Sequence, residues 1–466
     1  MSVTDTPAAG EAGDDTRFFG HPRALATLFF TEMWERFRFY GMRAILVFYL
    51  TASVSGANPA DRLVGARRAV LVGGIVIACG HYVMAIPTGW SVFAGMTLIV
   101  FGTGLLKPNM STMVGDLYPQ DSPRRDAGFS IFYMGINLGA FLAPLITGYL
   151  GEEINWHLGF AVAAVGMTFA VIQYVLGGRW LGNAGKRVPN PLEAAERRRV
   201  LSRTALGAAA VVVLALILGG VGWLTVNVVV NTLTVVTVAV AIFYFARMRL
   251  DRSLTDVERS RIKAYVWLFV FAAAFWLIYD QAGSVLNQFA EDDTNRDLFG
   301  FTFPASWLQS VNPILIIIAS PIFAVIWLKV GHRLTTPVKF AIGLVLNGLS
   351  FVLMAAAAAN AVGGAKVSPL WLVAAYAIQV CGELCLSPVG LSVTTKLAPV
   401  RYASQMMGLW FLATAVGDAI GGQVARLAGS WPLPTYFLTF GLASVALGLG
   451  AFMFTKHIRT LMAGIH

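Results

Sequence analysis

Residues 25–50 read LATLFFTEMWERFRFYGMRAILVFYL. The stretch is apolar at both ends and long enough to cross a hydrocarbon core, which takes about 20 helical residues. Its middle nevertheless carries Glu32, Glu35, Arg36, Arg38 and Arg43. A charge at that depth costs about 2.5 to 3.5 kcal/mol on insertion scales, so several in one span need a reason. At about 100° per residue, positions 32, 35, 36, 39, 40 and 43 fall within an arc of roughly 140° and share one face. Protonating a glutamate on that face releases the arginine it holds, which suits a coupling site. The plainer alternative is a static ion-pair network that locks helices together. Arg38 points off the arc.

The rest of the chain repeats the pattern of long apolar blocks and short polar loops. Hydrophobic residues make up 57% of the 466 and charged ones 12%, too apolar for an ordinary soluble core. Further spans are predicted near 69–87, 91–115, 127–150, 158–178, 205–224, 226–246, 263–290, 306–329, 338–360, 370–394, 405–428 and 434–456. The net charge of +10 sits in loops, with clusters over 179–203 and 247–263. Such clusters mark the cytoplasmic side rather than a nucleic-acid surface. From residue 61 onward basic and non-basic loops alternate, with Lys366 alone in an outer loop. The start breaks the alternation: Arg62, Arg67 and Arg68 call for the cytoplasm, yet 51–60 is too short for a crossing. A whole helix is therefore expected to be absent there. Restoring it gives fourteen crossings, divided six, two and six.

The polar N-terminal residues do not read as a secretory signal, so the first span is expected to stay attached. The cysteines, Cys79, Cys381 and Cys385, have no metal-site or disulfide spacing. Single polar residues lie at depth in other spans: Lys107, Asn137, Asp280, Asn312 and Glu383. Lys107 with Glu383, and Arg43 with Asp280, have opposite signs and are expected to act as gates. Asn137 lies in Gly135-Ile-Asn-Leu-Gly139, which is also a close-packing motif. Tyr133 and Trp410 are either pocket walls or interfacial anchors. His81 reads as a hydrogen-bonded core residue and His157 as a loop residue, not as proton carriers. No nucleophile with a base partner and no metal cluster points to an enzyme.

These residues resemble the proton-dependent oligopeptide transporter family of the major facilitator superfamily. The resemblance rests on Glu32 to Phe37 with Tyr40 to Arg43, on Asp61 to Arg68, on Phe132-Tyr133-x-x-Ile136-Asn137-x-Gly139, and on Gly382-Glu383-Leu-x-Leu386-Ser387-Pro388. It implies an all-α membrane protein with a major facilitator fold: two six-helix bundles plus an inserted two-helix hairpin, with the second helix absent from this sequence. The segments are a tail over 1–20, an N-terminal bundle over 21–180 that lacks one helix near 51–60, basic loops and hairpin over 181–262, a C-terminal bundle over 263–457 and a tail over 458–466. The resemblance implies proton coupling through Glu32, Glu35, Arg36, Arg43 and Asp280. It places substrate at Arg36, Tyr40, Lys107, Tyr133, Asn137, Asn312, Glu383, Ser387 and Trp410, with Lys107 and Glu383 near the peptide termini. Phe39 departs from the family's usual Tyr. The expected activity is symport of di- and tripeptides with protons across a bacterial inner membrane, with both termini cytoplasmic. The expected partners are peptides, protons and membrane lipids; the gradient drives transport without a cofactor, in a monomer. The alternatives are a nitrate or drug carrier on the same fold, or a peptide receptor that does not transport.

Overall fold

The computed structural model describes residues 18, 21–36, 65–118, 123–186, 225–330 and 334–465, with isolated positions 198, 202, 206, 220 and 222. The expected missing crossing at 51–60 and most of the predicted span at 205–224 lie outside the described residues. Among those described, ten helical segments are long and apolar enough to cross a membrane. The chain is therefore a multi-pass membrane protein. It divides into two compact units, one holding the described residues up to 202 and the other those from 206 onward.

The first unit contains α1 (Arg23–Arg36), α2 (Ala66–Met84), α3 (Gly89–Asp116), α4 (Pro123–Ala143) and α5 (Trp156–Gly177). Lipid is as apolar as leucine, so helices in a bilayer are held by close van der Waals approach rather than by hydrophobic burial. The α2–α3 seam shows this: a Cβ on Gly80 would stand 2.8 Å from the carbonyl oxygen of Gly95. At the foot of α2, Arg67 donates to the carbonyls of Gly178 and Gly182, and the Arg67 amide donates to Gly185 O at 3.1 Å. The Gly185 amide in turn donates to Asp116 at the end of α3, also at 3.1 Å. Arg67, in the first turn of α2, thus ties three helix ends together.

The predicted single helix over 127–150 is instead an α-helix that becomes π-helical over Pro144–Ile154. Pro144 has no amide hydrogen to give the carbonyl four residues back, so the ladder resumes in a wider register.

The second unit runs α6 (Val226–Leu250), α7 (Asp256–Tyr279), α8 (Val285–Asp292), the two-residue strands β1 (Asp297–Leu298) and β2 (Phe301–Thr302), α9 (Val311–Val330), α10 (Thr336–Ala361), α11 (Leu370–Leu397), α12 (Ala403–Ala425) and α13 (Leu433–Leu461). Its aromatic core includes Tyr265, Phe271, Phe275, Phe340 and Trp410. Two predicted features change. The basic stretch 247–263 is not a loop: it rides on two helix ends joined by a short turn, because Thr255 and Glu258 form a reciprocal capping box that starts α7 at Asp256. The predicted span 263–290 is broken by a 3-10 turn at Asp280–Gly283. Gln281 fills the break, donating to the carbonyl of Gly421 at 3.1 Å and accepting from Ser284 at 2.9 Å.

Helix α6 is fastened to α12 at both ends. At one, Thr234 donates to the Ala419 carbonyl at 3.2 Å and Gln423 donates to Asn231 at 2.9 Å. At the other, Asp251 accepts from Tyr402 at 2.6 Å, from the Ser253 hydroxyl at 2.7 Å, and from Arg401 at 3.2 Å. The Tyr402 hydrogen bond, then those of Ser253, with Arg401 adding to them, hold the Asp251 carboxyl far below the usual carboxylate range. Burial and the same hydrogen bond push the Tyr402 phenol up. The loop bearing Lys366 is tied by backbone to the acidic segment, the Val367 amide donating to Asp293 O at 2.8 Å. Burial and the adjacent Asp292 push the Asp293 carboxyl up, against the pull of Lys366.

Candidate substrate site

Each unit contributes predicted residues. In the first, Glu32 lies on α1 with only 3% of its surface exposed. The helix continues to Arg36, so the backbone of Glu35 and Arg36 extends the same face; their side chains, and Tyr40 and Arg43, lie outside the described residues. Lys107 is half-buried on α3 and Tyr133 is exposed on α4. Asn137 is buried, and its amide donates to the Tyr133 carbonyl of its own helix at 2.9 Å. The flanking glycines seat α4 on α1: Gly135 lies against Phe29, and a Cβ on Gly139 would overlap the Met33 backbone. The packing reading of this motif thus holds alongside any role for Asn137.

In the second unit the structure brings three side chains together. Tyr279, from the last turn of α7, donates its hydroxyl to the Glu383 carboxylate on α11. The same phenol oxygen accepts from the Asn312 amide on α9 at 2.8 Å. Glu383 is 8% exposed and Asn312 is buried. Tyr279 is fixed by stacking on Phe275 with ring centres 5.4 Å apart, and by an edge contact with Trp276. A phenol can donate to a carboxylate or accept from a carboxylic acid, so this partner serves Glu383 in either protonation state. Ser387 follows Glu383 by one helical turn; it is half-buried, and its hydroxyl has no hydrogen-bond partner among the described residues.

The sequence singles out Asn312 and Glu383 but not Tyr279, the residue that links them in the structure. The signal was available in principle: Tyr279 directly precedes Asp280, an acidic residue at depth. Asp280 itself terminates α7 and is half-buried at the break. Trp410 is 5% exposed, lying over Gly390 and edge-on to Phe340 at 6.3 Å, in the packed core. His81 is buried in α2, and His157, expected in a loop, is in the first turn of α5, which Asn155 caps. Among the described residues no cluster of His, Cys, Asp or Glu is arranged to hold a metal ion.

Known proteins match this arrangement along nearly its whole length. An uncharacterized transporter of Bacillus subtilis, YclF, is 44% identical over an alignment of 496 positions that takes in all of both chains. That alignment is about 30 positions longer than the 466-residue chain, the length of one helix with its loop. A di-/tripeptide transporter of Lactococcus lactis subsp. cremoris is 40% identical across 96% of this chain and 98% of its own. The crystal structure of the peptide transporter POT in complex with sulfate superposes with a TM-score of 0.88 at 45% identity, covering 97% of this chain and 98% of that one. The POT family profile matches residues 67–439, and the chain belongs to the POT family.

Proposed function

We propose that this protein imports di- and tripeptides across the plasma membrane, driven by protons, through alternating access. The observation that carries the reading is the 40% identity, over almost the full length of both chains, to the di-/tripeptide transporter of Lactococcus lactis. The buried cluster of Tyr279, Asn312 and Glu383 supports it, because a buried carboxylate is suited to meet the amino terminus of a peptide. Lys107 is assigned the opposite role, toward the peptide carboxylate, with Asn137 and Asn312 toward the backbone. Glu32, Glu35, Arg36, Arg43 and Asp280 are assigned to proton coupling. Both termini are cytoplasmic and the protein works as a monomer. Each charge moved across 100 mV supplies about 2.3 kcal/mol, nearly fifty-fold accumulation, so one or two protons suffice.

The test is uptake of labelled dialanine into proteoliposomes under an imposed inward proton gradient. Accumulation above the outside concentration, collapsed by a protonophore and competed by tripeptides, is the expected result. Saturable dialanine binding with no flux would instead identify a receptor, the outcome favoured if about 30 missing positions cost the protein its transport cycle.

A further inference from the structure

The basic stretch shared by α6 and α7 does more than mark a side of the membrane. On α6, Val238, Ile242, Phe245 and Arg249 follow at helical spacing; on α7, Lys263, Val266 and Val270 do the same. The two stripes border one cavity of about 600 Å³, apolar along its length, with its cations, Arg249, Arg259 and Lys263, at the end where the helices are joined. Ile242 is 63% exposed and Val270 47%, so the cavity is an open groove, not a sealed core.

Among the described residues the cations are poorly matched by carboxylates. Among the described residues neither Arg249 nor Lys263 has a carboxylate within ion-pair distance, and Arg259 reaches only the fully exposed Asp256, at 3.6 Å. On the other flank of α6, by contrast, Arg401 is committed to Asp251. A groove that is apolar inside a span and cationic at the membrane boundary has the polarity of a phospholipid, tail against tail and phosphate against base. A zwitterionic headgroup would bring its own ammonium to compete with these cations, and a free phosphate would leave the apolar length unused.

We propose that the groove between α6 and α7 is a binding site for a diacyl anionic phospholipid. An acyl chain lies along Ile242, Val266 and Val270, and the phosphate sits among Arg249, Arg259 and Lys263.

The test is native mass spectrometry of the full-length protein titrated with phosphatidylglycerol or phosphatidylethanolamine. Phosphatidylglycerol is expected to bind about tenfold more tightly, and the Arg249→Gln/Lys263→Gln variant to lose roughly that factor. Val270→Trp, which fills the groove, is expected to weaken phosphatidylglycerol binding, and a photoreactive acyl chain to label α6 and α7. Equal affinity for the two lipids, an unchanged double variant or an unchanged Val270→Trp variant would each overturn the proposal. So would displacement of the lipid by an equal concentration of inorganic phosphate, or labelling only elsewhere in the chain. Monodispersity and dialanine uptake check that each variant is folded. If the double variant does not fold, Lys263→Gln alone and the lipid comparison on the unaltered protein decide the question.

Discussion

Two carboxylates of the second unit carry the same chemical group to opposite ends. Asp251 sits at the membrane boundary with a guanidinium, a phenol and a hydroxyl turned on it, and those donors keep it charged far below neutrality. Glu383 is buried in the middle of α11, where it accepts from a phenol, Tyr279, that is itself held by the amide of Asn312. A carboxylate at a helix end that accepts from three side chains at once is a rivet. A phenol beside a buried carboxylate serves it in either protonation state, because it can donate to the anion or accept from the acid. The surroundings, not the residue type, separate structure from function here.

The contrast is broken first at Glu383. Glu383→Gln keeps the volume and a hydrogen bond to Tyr279 but removes the charge, and gradient-driven dialanine uptake should fall roughly hundredfold, the worth of a charged hydrogen bond. Tyr279→Phe leaves the carboxylate in place without its neutral partner. Uptake should drop about fivefold while the protein stays folded, since one buried hydrogen bond is worth about 1 kcal/mol; an unchanged rate would make the phenol mere packing.

At the other carboxylate the readout moves from transport to stability. Asp251→Asn should leave uptake within about twofold but lower the unfolding temperature by a few degrees, as the loss of an anchored helix end predicts. The pH dependence sharpens the difference. The folded Asp251 carboxyl lies below its unfolded value of about 3.9, so its contribution is complete above that value and fades as the pH falls through the folded one. The gap between parent and Asp251→Asn should therefore be constant from about pH 5 upward and close only in stronger acid. The smallest effect belongs to Arg401→Gln. This guanidinium is 66% exposed and Tyr402 and Ser253 still hold the carboxylate, so a shift of about a degree is expected, and salt should erase it.

Much of this was legible in the sequence, and the failures have physical causes. Spans were readable because crossing a bilayer demands an apolar length that few other pressures produce. Buried polar positions such as Asn312 and Glu383 stood out because the lipid makes them costly. The π-helical turn after Pro144 and the break at Asp280 were invisible to hydropathy, which counts apolar residues and not backbone hydrogen bonds. Tyr279 was missed because a tyrosine in a span is ordinary until geometry shows what its hydroxyl touches. The basic stretch 247–263 reads as topology alone in the sequence, since charge there carries no information on which cations already have partners.

The assignment of Glu383 to the peptide's amino terminus is tested most directly by binding. The affinities of dialanine and of N-acetyl-dialanine are compared on the unaltered protein and on Glu383→Gln. The unaltered protein should prefer the free amine by about tenfold or more, and the variant should lose that preference while binding the acetylated peptide as before. If Glu383→Gln keeps the full preference for the free amine, Glu383 is not the group that receives it.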